Sequence, residues 1–276
     1  MESPPPLSLL EVSEFARLVA RAAGDVALQY FRGSLDPRNK ASVGFDPVTA
    51  ADIEIEMLVR ERIRRHFPTH RVIGEELPED PGSSEYCWII DPIDGTRGFL
   101  LGLPTWGILM GLVRGDTPLF GLMYQPLSDD MFVGTRERSW HYRGERSTRL
   151  TCADDRPLAE ATLCCTHPDM FAGELAEKGY KRLSGQVRSV RYGTDCWGYA
   201  SLAMAGADLV FEADLKPCDV APLIPIVEGA GGTILAIDGG PALGAPAVVA
   251  ATSAALANEA LRVYGGASTS GPHNDA

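Results

Sequence analysis

From Ser8 to Phe31 the apolar side chains Phe15, Leu18, Val19, Ala22 and Val26 follow an i, i+3, i+4, i+7 spacing, which predicts an amphipathic helix. A second helical pattern runs from Ala51 to Phe67, where Ile55, Val59, Ile63 and Phe67 recur every fourth residue until Pro68 stops it. The segment Asp46-Pro47-Val48-Thr49 precedes that helix, so Asp52 falls in its first turn. Short apolar runs then replace the helical period. They extend from Arg71 to Gly74, Tyr86 to Ile90, Ile108 to Val113, Leu119 to Tyr124 and Met131 to Thr135, most of them divided by Gly, Pro or Asp. Consecutive strands of this kind predict a largely antiparallel sheet.

Beyond about residue 150 the pattern alternates. Strands are expected near Leu163 and Val190, from Asp208 to Glu212 and near Ile234, and helices near Ala172, from Tyr199 to Ala205 and from about Ala221 to Gly229. This divides the chain into an N-terminal part, 1–150, with helices and mainly antiparallel sheet, and a C-terminal α/β part, 151–265. The Gly-, Ser- and Pro-rich tail, 266–276, is expected to be disordered.

Composition narrows the class. With 276 residues, 45% hydrophobic and 22% charged, the chain has ordinary globular composition. Its 25 basic and 37 acidic residues leave a charge of −12, which argues against nucleic acid as a partner. An acidic protein acting on a phosphate ester must neutralise charge locally, and cations held by its own carboxylates would do so. The six cysteines form no CxxC pair and read as buried thiols in a reducing cytoplasm rather than as a disulfide or zinc framework. No export signal and no membrane span is expected, because no basic segment precedes an apolar run and no uncharged stretch approaches roughly 20 residues.

The candidate chemistry centres on Asp91-Pro92-Ile93-Asp94-Gly95-Thr96. The buried strand before it delivers Asp91 at its end, and Asp-Pro suits the first two positions of a type I turn that folds Asp94 back beside Asp91. Two adjacent carboxylates repel unless protonated or bridged; Mg²⁺ prefers oxygen ligands and can bridge them, with the Ile93 carbonyl as a further ligand. Gly95 permits close approach of the backbone, and Thr96 has the residue type of an N-cap whose neighbouring amides could face a phosphate. The Thr96 hydroxyl, assisted by a nearby Asp, could also help activate a nucleophile. Glu75 and Glu76 end another strand, and Asp219 precedes a helix whose first turn accommodates Pro222. Taken singly, Asp-Pro is an ordinary turn, Glu75-Glu76 a solvated pair and Asp219 a helix start. The uninterrupted string of strand, two Asp, Gly and Thr favours a functional site.

Gly74-Glu75-Glu76, Trp88 to Thr96, Asp219-Val220-Ala221 and Glu228-Gly229-Ala230-Gly231-Gly232 together resemble the inositol monophosphatase superfamily, in order and spacing, over residues 12–263. The resemblance implies a five-layer αβαβα sandwich, an α+β to α/β layered fold with the site between its two parts, and a homodimer. It implies that Glu75, Asp91 and the Ile93 carbonyl hold one Mg²⁺, that Asp91, Asp94 and Asp219 surround a second, and that Glu75 touches a third. Asp52, in Val48-Thr49-Ala50-Ala51-Asp52, matches the acid that works with Thr96 to activate the attacking water, with no phosphoenzyme.

Within that superfamily, Arg97-Gly98-Phe99, Gly102-Leu103-Pro104-Thr105-Trp106-Gly107, Gly193-Thr194-Asp195-Cys196 and the run from Asp208 to Asp219 are most similar to histidinol-phosphate phosphatases. The implied substrate is histidinol phosphate, in histidine biosynthesis, with Arg97, Asp195 and Glu212 as substrate-selecting residues. A cationic ammonium and imidazole would be drawn to Asp195 and Glu212. Asp195 can also be read as a helix cap, Arg97 as half of a structural ion pair, and Glu212 as a position used for inositol hydroxyls, so an inositol or related sugar-alcohol phosphatase is the alternative. Two positions depart from the pattern: Cys218 stands where the superfamily often has Trp or Tyr, and Pro222 replaces a small residue. A catalytically silent relative would have lost one of Glu75, Asp91, Asp94, Thr96 or Asp219, and all are present. A cysteine-based phosphatase would need the HCxxxxxR spacing, and a P-loop nucleotide enzyme GxxxxGKS/T; neither occurs.

Overall fold

A computed structural model describes residues 7–33, 37–39 and 47–266. Asp46, ahead of the second helix, and residues 267–276 of the tail lie outside them. Helix α1 (Leu9–Tyr30) begins where the Ser8 hydroxyl accepts the Glu11 amide at 3.4 Å. Its buried face is rotated from the expected one: Val12, Ala16, Ala20, Ala23 and Ala27 join Val19 inside, while Leu18 is 71% exposed. The reason is distance. A Cβ added at Gly24 would lie 2.7 Å from the Tyr124 ring, so α1 approaches the sheet too closely for large side chains. A two-stranded antiparallel ribbon, β1 (Arg38–Asn39) and β2 (Pro47–Val48), leads into α2 (Ala50–His66).

The first large sheet is a meander in chain order: β3 (Arg71–Gly74), β4 (Tyr86–Asp94), β5 (Gly107–Arg114), β6 (Thr117–Gln125), β7 (Asp130–Thr135), β8 (Arg138–Arg143) and β9 (Arg146–Arg149). Only β3 and β4 pair in parallel; the other neighbours are antiparallel, as the run of short strands predicts. A short helix, α3 (Thr96–Leu100), interrupts the meander after β4. Strands β8 and β9 escape the hydrophobic pattern because β9 is wholly exposed and carries Arg146-Ser147-Thr148-Arg149.

The second sheet follows from β10 (Thr162–Cys165), α4 (Glu174–Ser184), β11 (Ser189–Tyr192), α5 (Cys196–Ala203), β12 (Leu209–Ala213), α6 (Pro217–Val220), α7 (Leu223–Gly229), β13 (Thr233–Ala236), β14 (Ala247–Ala251) and α8 (Ala254–Gly265). Its strand order is β11-β10-β12-β14-β13, parallel at β11-β10-β12 and antiparallel at β12-β14-β13. The helix expected near Ala172 begins at Glu174, after a single 3₁₀ turn at Pro168–Met170.

Three buried clusters order the layers. One lies between α1, α2 and the first sheet. The second joins that sheet's other face, through Leu109, Met123 and Phe132, to α5, α7 and the second sheet. The third lies between the second sheet's outer face and α4 and α8. The result is the five-layer αβαβα sandwich. None of the described helices is long and apolar enough to cross a membrane.

The middle layer is seated by glycine. Gly111, Gly121 and Gly134 stand in register across β5, β6 and β7, and the chain from Pro222 to Ile226 lies against them. A Cβ at Gly121 would come within 1.8 Å of the Pro222 carbonyl oxygen, and one at Gly134 within 2.4 Å of Ile226 Cα. Glycine inside a strand commonly marks such an approach of another backbone. Pro222 therefore packs on this row, which brings α6 and Asp219 down onto β4.

Candidate active site

Asp91 and Asp94 both belong to β4, which continues past Ile90 instead of ending in a type I turn. Pairing with β5 resumes at Asp94 opposite Gly107, with a bulge between the two acids. The bulge accommodates Pro92, which cannot donate to a ladder, and Asp91 Oδ1 accepts the Ile93 amide at 3.0 Å. Gly95 then takes a left-handed conformation (φ 82°), where an added Cβ would meet the Thr105 carbonyl oxygen at 3.0 Å. Gly95, not Thr96, is the N-cap of α3; Thr96 is the first helical residue, and its hydroxyl donates to the Ile93 carbonyl at 3.0 Å. Thr96 thus pins that carbonyl's direction, and the oxygen retains a second lone pair.

Glu75 leaves β3 on a loop braced from below. The buried Glu56 carboxylate pairs with Arg60 at 2.8 Å and accepts the amides of Glu76 at 2.8 Å and Leu77 at 3.1 Å. A Cβ at Gly74 would come within 2.2 Å of Glu56 Oε1, so a larger residue there would displace the bracing carboxylate. On α6, Asp219 Oδ2 accepts the Lys216 amide at 2.8 Å, and the Lys216 ammonium meets Glu75 Oε1 at 2.9 Å.

Two groups of ligand atoms result. Asp91, Asp94 and Asp219 each present an oxygen within 4.8 Å of the others, and Glu75, Asp91 and the Cys218 sulfur do the same. Asp91 belongs to both. Burial first, and then the charges of Glu75, Asp94 and Asp219, push the Asp91 carboxyl well above the ordinary carboxylate range. Burial, then Asp195 and Asp219, does the same to Asp94, against the pull of the Cys196 amide that donates to its Oδ2 at 2.8 Å. Asp219 is likewise raised by burial. Crowded, desolvated carboxylates of this kind are relieved by protons or by hard cations, and the all-oxygen set suits Mg²⁺.

Asp52 sits at the third position of α2, where Oδ2 accepts the Thr49 amide at 2.8 Å and hydroxyl at 2.6 Å. That capping box accounts for one oxygen. Among the described residues Oδ1 is buried with no hydrogen-bond partner, and burial pushes the carboxyl up to about 6. Asp52 and Thr96 make no hydrogen bond to one another.

The three residues expected to select substrate do meet. Asp195 precedes α5 at φ 45°, and its side chain makes no capping hydrogen bond; the carboxylate instead lies beside Gly95. Burial pushes it up to about 6, opposed by the guanidinium of exposed Arg97. Glu212, 3% exposed on β12, is pushed up to about 7 by burial. Thr166 links the two: its amide and hydroxyl donate to Glu212 Oε1 at 3.0 and 2.5 Å, and its hydroxyl oxygen accepts the Asp195 amide at 3.0 Å.

Sequence reasoning missed Thr166, the Cys196 amide, Lys216 and the sulfur of Cys218. Cys218 and Lys216 carried a signal, flanking a suspected ligand; Thr166 and the Cys196 amide are joined to their partners only by long-range folding.

Among known proteins, the model of the inositol monophosphatase family matches residues 8–265. The chain is 39% identical over 240 residues to the bifunctional phosphatase IMPL2 of Arabidopsis thaliana, covering 84% of this chain and 67% of that one. It is 31% identical over 220 residues to the histidinol-phosphatase of Chlorobaculum parvum, covering 79% and 83%. An inositol monophosphatase from Zymomonas mobilis superposes with a TM-score of 0.81 at 29% identity, over 94% of this chain and 99% of that one.

Proposed function

Because the chain belongs to the inositol monophosphatase family of metal-dependent phosphatases, we propose that it hydrolyses histidinol phosphate to histidinol and phosphate with Mg²⁺, within histidine biosynthesis. The carrying observation is the pair of ligand groups sharing Asp91. In this reading Glu75, Asp91 and the Ile93 carbonyl hold one cation, Asp91, Asp94 and Asp219 a second, and Glu75 touches a third. Bound cations would neutralise phosphoryl oxygens and make a water more acidic.

The chain's own groups supply the rest. Asp52, held by Thr49 through one oxygen, keeps Oδ1 available for a proton, and a carboxyl near 6 is matched to work close to neutrality. Thr96 shares the water-activating role, and the backbone around Gly95 and Thr96 receives the phosphate. Arg97, Asp195 and Glu212 take the organic part, and two neighbouring carboxylates suit an ammonium and an imidazole. The 31% identity to a histidinol-phosphatase supports the same choice. An inositol phosphate remains the second reading, favoured by the likeness to the Zymomonas mobilis protein. Phosphate release with Mg²⁺ from histidinol phosphate against inositol 1-phosphate decides between them: kcat/KM is expected to favour the former, and a ratio favouring the latter overturns the assignment. Homodimerisation and a cytoplasmic location belong to the same proposal.

A further inference from the structure

We propose that the Tyr199 hydroxyl positions the Glu212 carboxylate, and through it the organic end of the substrate, a step that rests on the function proposed above. Tyr199 lies on α5 and is 2% exposed. Its ring packs into the buried cluster between the two sheets, where a Phe ring would fill the same space. The hydroxyl is the part that packing does not use. It is buried, and among the described residues its oxygen makes no hydrogen bond of full geometry. Taking a hydroxyl out of water without a firm partner carries a cost that Phe would not.

Glu212 is the acceptor that the hydroxyl faces. Its carboxylate is 3% exposed on β12, and Oε1 takes both Thr166 donors, the amide at 3.0 Å and the hydroxyl at 2.5 Å. Burial pushes Glu212 up to about 7, against the pull of Thr166 and of the Tyr199 hydroxyl. Burial, and then Glu212, hold the phenol well above its ordinary range, so Tyr199 stays a neutral O–H donor. A carboxylate offers roughly four acceptor positions; with the Thr166 donors on Oε1 and Tyr199 as a further donor, about one is left for an N–H or O–H of the substrate. The Tyr199 hydroxyl thus sets where that free position points, and it favours the charged carboxylate that an ammonium would pair with.

A double-mutant cycle on the whole chain with Mg²⁺ tests this, read on whichever of histidinol phosphate and inositol 1-phosphate the wild type prefers. Tyr199→Phe is expected to raise KM about tenfold while kcat stays within about twofold. Where Glu212→Ala has already removed the carboxylate, the same substitution should move KM less than about threefold, because Tyr199 acts through Glu212. A KM in Tyr199→Phe within about threefold of wild type overturns the inference. So does a rise of about tenfold repeated in the Glu212→Ala background, which would mark packing or direct contact instead. Should Tyr199→Phe fail to fold by circular dichroism, Tyr199→Met, also without a hydroxyl, is read in the same way. A wild type that prefers inositol 1-phosphate removes the histidinol phosphate reading alone, since the cycle then runs on that ester. An unchanged KM with histidinol phosphate preferred removes this inference alone, and a wild type inactive on both esters overturns the two together.

Discussion

Two neighbouring acidic regions, joined where the Cys196 amide donates to Asp94, solve the same problem differently. At the ends of β3 and β4 and the start of α6, Asp91, Asp94 and Asp219 gather with mainly one another and backbone amides for company. Between β10, β12 and α5, Glu212 and Asp195 are instead tied to the protein by Thr166 and balanced by Arg97. In the first region charge is left for something outside the chain to neutralise. In the second it is tuned to titrate near neutrality, at about 7 for Glu212 and about 6 for Asp195. Under the proposed function, the difference would separate a place for hard cations from a place for the polar or cationic part of a substrate.

Removing charge from the first region should have the largest effect. Asp94→Asn is expected to lower Mg²⁺-dependent kcat on the order of 10³-fold with the fold intact by circular dichroism. Full activity in that variant would take Asp94 out of the mechanism. Next comes the device that assembles the region. Gly121→Ala forces a Cβ against the Pro222 carbonyl oxygen and should cost about 3 kcal/mol or more, seen as a lower urea midpoint with Mg²⁺ affinity falling alongside it. An unchanged midpoint would show that α7 can lift off the glycine row without penalty.

In the second region, Glu212→Gln should raise KM for histidinol phosphate roughly 10- to 100-fold, equivalent to about 1.5–3 kcal/mol of a charge-assisted contact, with a smaller change in kcat. A loss confined to kcat would instead place Glu212 with the first region. The smallest effect concerns pH. Carboxyls raised in the folded state contribute stability that is present below their ordinary values and lost as pH rises through the folded ones. The metal-free protein should therefore lose a few degrees of Tm between about pH 4 and pH 7, as Asp52 and Asp195 at about 6 and Glu212 at about 7 ionise. Mg²⁺ should recover more Tm at pH 8 than at pH 5, and Glu212→Gln should leave that Mg²⁺-dependent part unchanged. Equal recovery at both pH values would contradict the contrast between the regions.

The sequence made part of the first region legible because some of its acids sit at the ends of apolar runs, where periodicity breaks. Asp91 and Glu75 are visible in that way, Asp94 by following Asp91 in the same string, and Asp219 only as the start of a helix, although it lies inside α6. How the acids are held was not legible. The bulge that carries Pro92 looks like a turn when only the local Asp-Pro is seen, and Gly95 takes the cap from Thr96 because a left-handed residue is needed there. For α1 the large apolar residues mark the wrong face, since closeness to the sheet selects alanine. The glycine row needs three strands in register before its meaning appears, and Thr166 acquires its role only when β10 and β12 lie side by side.

Asp91 is the residue on which both ligand groups depend, so the most direct test compares wild type with Asp91→Asn. Each protein is stripped of metal, Mg²⁺ is added back, and phosphate release from histidinol phosphate is followed. The account predicts negligible turnover without metal, saturable recovery with Mg²⁺ in the wild type, and no recovery in Asp91→Asn. Turnover by the metal-free wild type, or full Mg²⁺ recovery in the variant, would contradict it.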